Sequence, residues 1–307
     1  MNYIKLTREN IEKEHICCAI SGNNDNMTKH RLYIVEGLPC SGKSAVSKYI
    51  ADLLAAQNIS VLYYDEGSGG HPADYEHHSF ISADAMCGFS ADERQKIVAV
   101  GEKYGEGLVV DLSEFDDLLS EKLMRYKIYD FLPWETEKPI MLDKWRTFCK
   151  NADRNTVYVF NCCFLQNPMC ETMMRFGFDK EVSYRYISEI AKMIEPLSPA
   201  VVYLKNDNIG EIIRQTAAQR RDWLDAVISY HINGGYGKSI SAEGFDGYIS
   251  CLCERQRREL DILSRLPVKS IVIENAHSDW DSAYGKINEF IQPHDNSFEN
   301  GAEEETS

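Results

Sequence analysis

The segment Gly37-Leu38-Pro39-Cys40-Ser41-Gly42-Lys43-Ser44 has the spacing G-x-x-x-x-G-K-S, and it stands between an apolar run and a helical pattern. No other feature of the chain constrains the fold as much. A loop of this kind works only when a buried strand delivers it and a helix starts from it, so that its backbone N–H groups line a concave nest. Leu32–Val35 is the strand candidate, short, apolar and β-favouring. After the loop, apolar residues recur at Ala45/Val46, Tyr49/Ile50 and Leu53/Leu54, the stripe of a half-buried helix. Such a nest implies a nucleoside triphosphate. Gly37, Leu38, Pro39, Cys40, Ser41, Gly42, Lys43, Ser44 and Ala45 are the candidate phosphate-binding residues. Lys43 is expected to reach the β- and γ-phosphates, and the Ser44 hydroxyl to ligate Mg²⁺. ATP and Mg²⁺ are the expected cofactors, since the chain has no N-K-x-D guanine-reading motif.

Further apolar runs at Val61–Tyr64, Val157–Phe160, Val201–Leu204 and Ile271–Ile273 alternate with helical stretches. Continuous rather than alternating apolar strands are the mark of a parallel sheet covered on both faces. The expected fold is therefore α/β, a three-layer P-loop NTPase architecture with a five-stranded parallel sheet, helices on both faces and a helical insertion. Residues 1–30 read as an N-terminal extension. Residues 31–291 form the main domain, with the insertion at about 67–150 and a lid region at about 205–240. Helix starts are expected at Ser90 and in the capping-box-like Ser113-x-x-Asp116, and a last helix over Ser278–Ile291. Residues 292–307 hold five acidic residues and no lysine or arginine, the composition of a disordered acidic tail.

The formal charge is −15, and between Asp65 and Lys138 acidic side chains outnumber basic ones by more than two to one. Such a surface repels the phosphate backbone of nucleic acid, which argues against a nucleic-acid partner. A small neutral or cationic acceptor suits it better. No apolar run reaches membrane-spanning length, and the N-terminus lacks a secretory pattern, so the expected location is the cytoplasm. The ten cysteines include no C-x-x-C pair and read as reduced thiols. A homodimer is an assembly the sequence leaves open.

Ligands of open parallel sheets bind beyond the carboxyl ends of the strands. Asp65 and Glu66 occupy that place on the second strand, as candidates to take a proton from an acceptor hydroxyl or to hold the metal's water shell. At the end of the third strand, where an acid normally assists Mg²⁺, the chain has Asn161-Cys162. Either the carboxylate comes from Asp65 or Glu66, or turnover has been lost and binding remains. Gln166, Asn167 and Cys170 follow in a polar stretch that either faces the acceptor or makes a structural turn. Arg214 and Arg221 are seven residues apart, which on one helix would place them on one face as a phosphoryl clamp. Asn233–Lys238, rich in glycine, reads as a flexible loop. His71, His77 and His78 read as solvated loop histidines rather than a metal cluster. Tyr63, Tyr64, Trp134 and Trp145 either line an acceptor pocket or belong to the core.

Over about residues 31–291 the chain resembles the P-loop kinases of nucleosides and nucleotides, in their thymidylate-kinase and deoxynucleoside-kinase branch. The likeness rests on Tyr33-Ile34-Val35-Glu36-Gly37 leading into Gly42-Lys43-Ser44, on Asp65-Glu66, and on Ser198–Leu204 before an arginine-bearing helix. It implies that Glu66 or Asp65 serves the acceptor hydroxyl and that Arg214, Arg220 and Arg221 form a lid. The acid-arginine pair frequent after strand three in that family is absent at Asn161-Cys162. Separately, Glu9–Ile20 is similar to the opening of GNAT-type acetyltransferases, over too short a stretch to imply an activity. The expected function is ATP- and Mg²⁺-dependent phosphoryl transfer to a small hydroxyl- or phosphate-bearing acceptor such as a nucleoside, a nucleotide or a natural product. The alternatives are a non-catalytic nucleotide-binding regulator and a partner-coupled NTPase.

Overall fold

The computed structural model describes residues 29–292 except 69 and 218–220. The N-terminal extension with its acetyltransferase-like stretch, the acidic tail and Arg220 lie outside the described residues. The chain runs β1 (Leu32–Gly37), α1 (Lys43–Ala56), β2 (Ser60–Tyr64), β3 (His78–Ser82), α2 (Ala83–Met86), α3 (Ala91–Val100), β4 (Glu102–Tyr104), β5 (Gly107–Asp111), α4 (Asp117–Met124) and a kinked turn, α5 (Ile128–Phe131). It continues through α6 (Trp134–Asn151), β6 (Thr156–Asn161), α7 (Gln166–Met169), α8 (Lys180–Ile194), β7 (Pro199–Lys205), α9 (Ile209–Ala217) and α10 (Arg221–Asn233). The last elements are α11 (Gly235–Ser239), α12 (Gly244–Arg265), β8 (Lys269–Glu274) and α13 (Trp280–Ile291).

The main sheet is wholly parallel in the order β2-β6-β1-β7-β8, with Ile34 opposite Phe160 on one side and Val201 on the other. All five expected strands are present. Side chains alternate between the faces of a strand, so β1 feeds two separate cores. Leu32 and Ile34 pack with residues of α6, α8 and α12, while Tyr33 and Val35 pack with those of α1 and α13. Trp145 on α6 sits at the centre of the first core, 1% exposed, with Phe148, Phe160 and Phe164 around its ring. Trp145→Ala is expected to cost about 3–5 kcal/mol of unfolding free energy, the range for removing a buried large aromatic. Urea denaturation checks this, and a loss below about 1 kcal/mol would contradict the packing.

Several expectations change. The insertion carries its helices, but it also holds a three-stranded antiparallel sheet, β3-β5-β4, around its own small core of Ile81, Ile97, Val110 and Leu123. Its strands are short and only half apolar, which hides them among amphipathic helices. Ser90 caps α3 in a full capping box with Glu93. Ser113 does not cap α4. Asp116 does, accepting from the Leu119 amide, while Ser113 bonds to Asp111. The stretch containing Asn233–Lys238 is not a loop of free glycines, because α11 packs there and a Cβ on Gly234 would meet the Met174 carbonyl oxygen at 2.3 Å. Among the described residues no helix is long and apolar enough to cross a membrane.

Candidate active site at the phosphate-binding loop

The loop after β1 closes with Cys40 and Gly42 in left-handed conformations, at φ 64° and 96°, and α1 starts directly from Gly42. Gly42 has a second reason to lack a side chain, since a Cβ there would lie 2.5 Å from the Trp280 ring. Lys43 is buried and its Nζ donates to the Leu38 carbonyl oxygen at 3.2 Å, so the ammonium lies folded along the loop. Seven residues beyond the first glycine, the Ser44 hydroxyl opens α1 toward the strand ends.

The strand order then brings β2 and β6 to the same place. Asn161, at the end of β6, donates from Nδ2 to Ser44 Oγ at 3.0 Å and to Asp65 Oδ1 at 2.5 Å. One amide therefore joins the phosphate-binding helix to the carboxylate after β2. Its Oδ1 is buried without a hydrogen-bond partner. Ser44 Oγ, the Asp65 carboxylate and this orphaned oxygen make an all-oxygen donor set of the kind Mg²⁺ takes, together with water and substrate phosphates. Among the described residues there is no cluster of three metal-ligating His, Cys, Asp or Glu side chains.

Glu66 points its bonding elsewhere, accepting from Gln166 Nε2 at 2.5 Å. Gln166 is in turn met by Arg255 Nη2 at 3.4 Å, and Arg255 is fully buried against Glu259 at 2.6 Å. Both carboxylates line a cavity of about 190 Å³ whose other walls come from Asp74, Glu76, Lys127, Tyr129, Asn167 and Tyr230 among others. Sequence reasoning placed Asp65 and Glu66 here. It missed Asp74, Glu76 and the Lys127–Asp130 segment, which the insertion folds in from a distance with no motif to announce them.

The wall formed by residues 161–166 is built under strain. Cys162 and Cys163 are both left-handed, at φ 62° and 79°, although neither is glycine. Such a pair persists only where the surroundings hold it. Glu36, 0% exposed at the end of β1, does so. Its carboxylate accepts from the amides of Phe164 and Leu165 at 2.8 Å and of Gln166 at 3.2 Å, which caps α7 from within the core. Burial pushes the Glu36 carboxyl up to about 7, and the bonds from Leu165 and Gln166 only partly offset it. A carboxyl that titrates higher when folded stabilises less as pH rises from its ordinary value of 4.5 toward 7. The stability advantage of wild type over Glu36→Gln is therefore expected to shrink by about 3 kcal/mol between pH 4.5 and 7 and to stay flat above it. Urea unfolding of both proteins at the two pH values measures this, and a constant difference would contradict it.

The histidines differ from expectation. His71 is buried rather than solvated, with burial lowering its pKa to about 4, and His78 stands in β3. Trp145 belongs to the core, and Trp134 packs edge-on against Phe176, Phe178 and Tyr186. Neither tryptophan lines the cavity. Arg214 does not line it either: its guanidinium lies over Phe245 and 3.5 Å from Asp246. α9 is described as far as Ala217 and α10 from Arg221 onward. The Arg221 side chain lies outside the described residues.

A five-stranded parallel sheet ordered β2-β6-β1-β7-β8, with G-x-x-x-x-G-K-S between its central strand and first helix, is the P-loop fold in its nucleotide-kinase-like form. The family model of the chromatin associated protein KTI12 matches residues 31–85, the β1-loop-α1-β2 unit and the first turn-rich stretch beyond it. No curated protein matches the chain. Among solved structures, it is similar to the YorR protein from Bacillus subtilis in complex with phosphorylated GDP, at 14% identity and a TM-score of 0.35 over 85% of this chain and 95% of that one. It is also similar to the thymidylate kinase from Candida albicans, at 11% identity and a TM-score of 0.34 over 87% and 96% of the two chains.

Proposed function

We propose that the protein is an ATP- and Mg²⁺-dependent phosphotransferase acting on a small acceptor. The observation that carries this reading is the Asn161 amide, which ties Ser44 of the phosphate-binding helix to Asp65 at the rim of a cavity that Glu66 also lines. ATP phosphates on one side and an acceptor hydroxyl on the other would then meet across Asp65 and Glu66. Glu66 takes the proton of the acceptor hydroxyl, the oxygen attacks the γ-phosphorus, and the bond to the β–γ bridging oxygen breaks to release ADP. Lys43 offsets the charge on the phosphates. Ser44, Asp65 and Asn161 would hold the Mg²⁺, which supplies charge neutralisation of the phosphoryl oxygens. Arg214 and Arg221 serve as lid arginines in this scheme. Arg214 leaves an exposed pair with Asp246 and a contact with the Phe245 ring to do so, and exposed ion pairs are worth little.

A second reading, a nucleotide-binding regulator that works through a partner protein, is favoured by the uncharged Asn161 where an acid would assist the metal. The KTI12 family's description as chromatin associated points the same way. Incubation with γ-labelled ATP, Mg²⁺ and a panel of hydroxyl-bearing small molecules separates the two. Label transferred to an acceptor supports the kinase. Tight ATP binding with neither transfer nor hydrolysis would overturn it in favour of the regulator.

A further inference from the structure

The cavity beside the phosphate-binding loop has an unusual charge balance. Asp65, Glu66, Asp74, Glu76, Asp130 and Glu171 line it, and Lys127 is the one lysine or arginine among the lining residues. Lys127 is already paired with Asp130 at 3.2 Å, and Glu171 is held by Arg175 at 2.6 Å. Asp65, Glu66, Asp74 and Glu76 are therefore left without an ion pair of their own, and neutral donors from Asn161, Gln166, Tyr129 and Asn167 reach the first three. Burial and the nearby Asp74 and Glu66 charges push the Glu76 carboxyl up to about 7, and the Lys127 charge only partly offsets them.

Two buried polar atoms without partners belong to the same walls. Asn161 Oδ1 is one. His71 Nε2 is the other, on a side chain 5% exposed. The Ala73 amide donates to His71 Nδ1 at 3.1 Å, so that nitrogen carries no proton and the neutral ring bears its proton on Nε2. With Asn161 Oδ1 facing the metal in the reading above, the cavity presents to an acceptor one unanswered N–H donor, on His71, and carboxylates without an ion pair. Orphaned buried groups of this kind cost free energy unless a ligand answers them. A phosphate-bearing acceptor would add like charge at a few ångströms from these carboxylates, which disfavours its binding. At about 190 Å³ the space is also below the usual size of about 300–1,000 Å³ for small-molecule pockets.

We propose that this cavity takes a compact acceptor carrying at least one ammonium group beside the hydroxyl that is phosphorylated, in the manner of an amino sugar or an amino alcohol. The ammonium answers Asp74 and Glu76, the acceptor's oxygen answers the His71 donor, and the reacting hydroxyl lies by Glu66. This rests on the kinase reading above and narrows its substrate class, setting aside phosphate-bearing acceptors.

Matched probes test it on the full chain: glucosamine against glucose, ethanolamine against ethylene glycol, and thymidine monophosphate as the anionic member. Binding is read by calorimetry in the presence of Mg²⁺ and a non-hydrolysable ATP analogue, and transfer is read separately with labelled ATP. The amine of each pair is expected to bind at least tenfold tighter than its neutral partner, and Glu76→Gln to reduce that ratio several-fold. Amine-selective binding without any transfer would uphold the inference while removing the kinase reading. Transfer to the neutral or anionic probes with no amine preference would uphold the kinase and overturn the inference. Absence of binding by every amine probe would also overturn it. The wild-type comparison stands whether or not the variant folds.

Discussion

Lys43→Ala is expected to lower phosphoryl transfer at least about 100-fold, the loss typical of removing one preorganised donor from a developing charge. The side chain is buried in the loop, where its Nζ touches only the Leu38 carbonyl oxygen among the hydrogen bonds of the described residues. In the proposed reaction phosphate contacts would replace that bond, and an alanine cannot make them. The variant should fold, because Lys43 opens α1 at a position where alanine is a good helix former. Steady-state transfer with labelled ATP, beside a far-ultraviolet circular dichroism spectrum, is the measurement. Full activity in a folded Lys43→Ala protein would remove the phosphate-binding loop from the chemistry.

Glu66→Gln is expected to lower transfer by about 10²–10⁴, the worth of a positioned general base, while leaving ATP affinity within a few-fold of wild type. The two carboxylates after β2 divide their bonding: Asp65 is tied through Asn161 to Ser44, and Glu66 through Gln166 to the acceptor side of the cavity. Glutamine keeps an oxygen for the Gln166 amide and loses the capacity to take a proton. Asp65→Asn should act differently, weakening Mg²⁺-dependent ATP binding as well as turnover. Calorimetric titration of ATP and the transfer rate, measured on both variants, distinguish the roles. If Glu66→Gln turned over normally and Asp65→Asn did not, the base would be Asp65.

Much of the frame was legible without coordinates. β1, β6 and β7 were legible because a strand buried on both faces needs uninterrupted apolar residues, and that signal is local; the edge strands β2 and β8 carry similar apolar runs although they are only partly buried. Ser90 with Glu93 and the Gly42-Lys43-Ser44 helix start were equally local. The small sheet of the insertion was not, since β4 has only three residues and is exposed or half-buried.

The chain's own pattern was enough to determine the strand-loop-helix unit, the G-x-x-x-x-G-K-S loop within it and the pair Asp65-Glu66 at a strand end, because each depends on neighbours a few residues away. Only the tertiary structure decided what surrounds them. Asn161 reaches Ser44 because β6 lies between β1 and β2, an adjacency that follows from sheet order and not from spacing. Glu36 braces the strained Cys162–Cys163 turn across more than a hundred residues. Asp74, Glu76 and His71 become cavity walls because the insertion folds back over the strand ends. Contacts of that range are set by packing of the whole domain, and no local period or motif in the chain carries them.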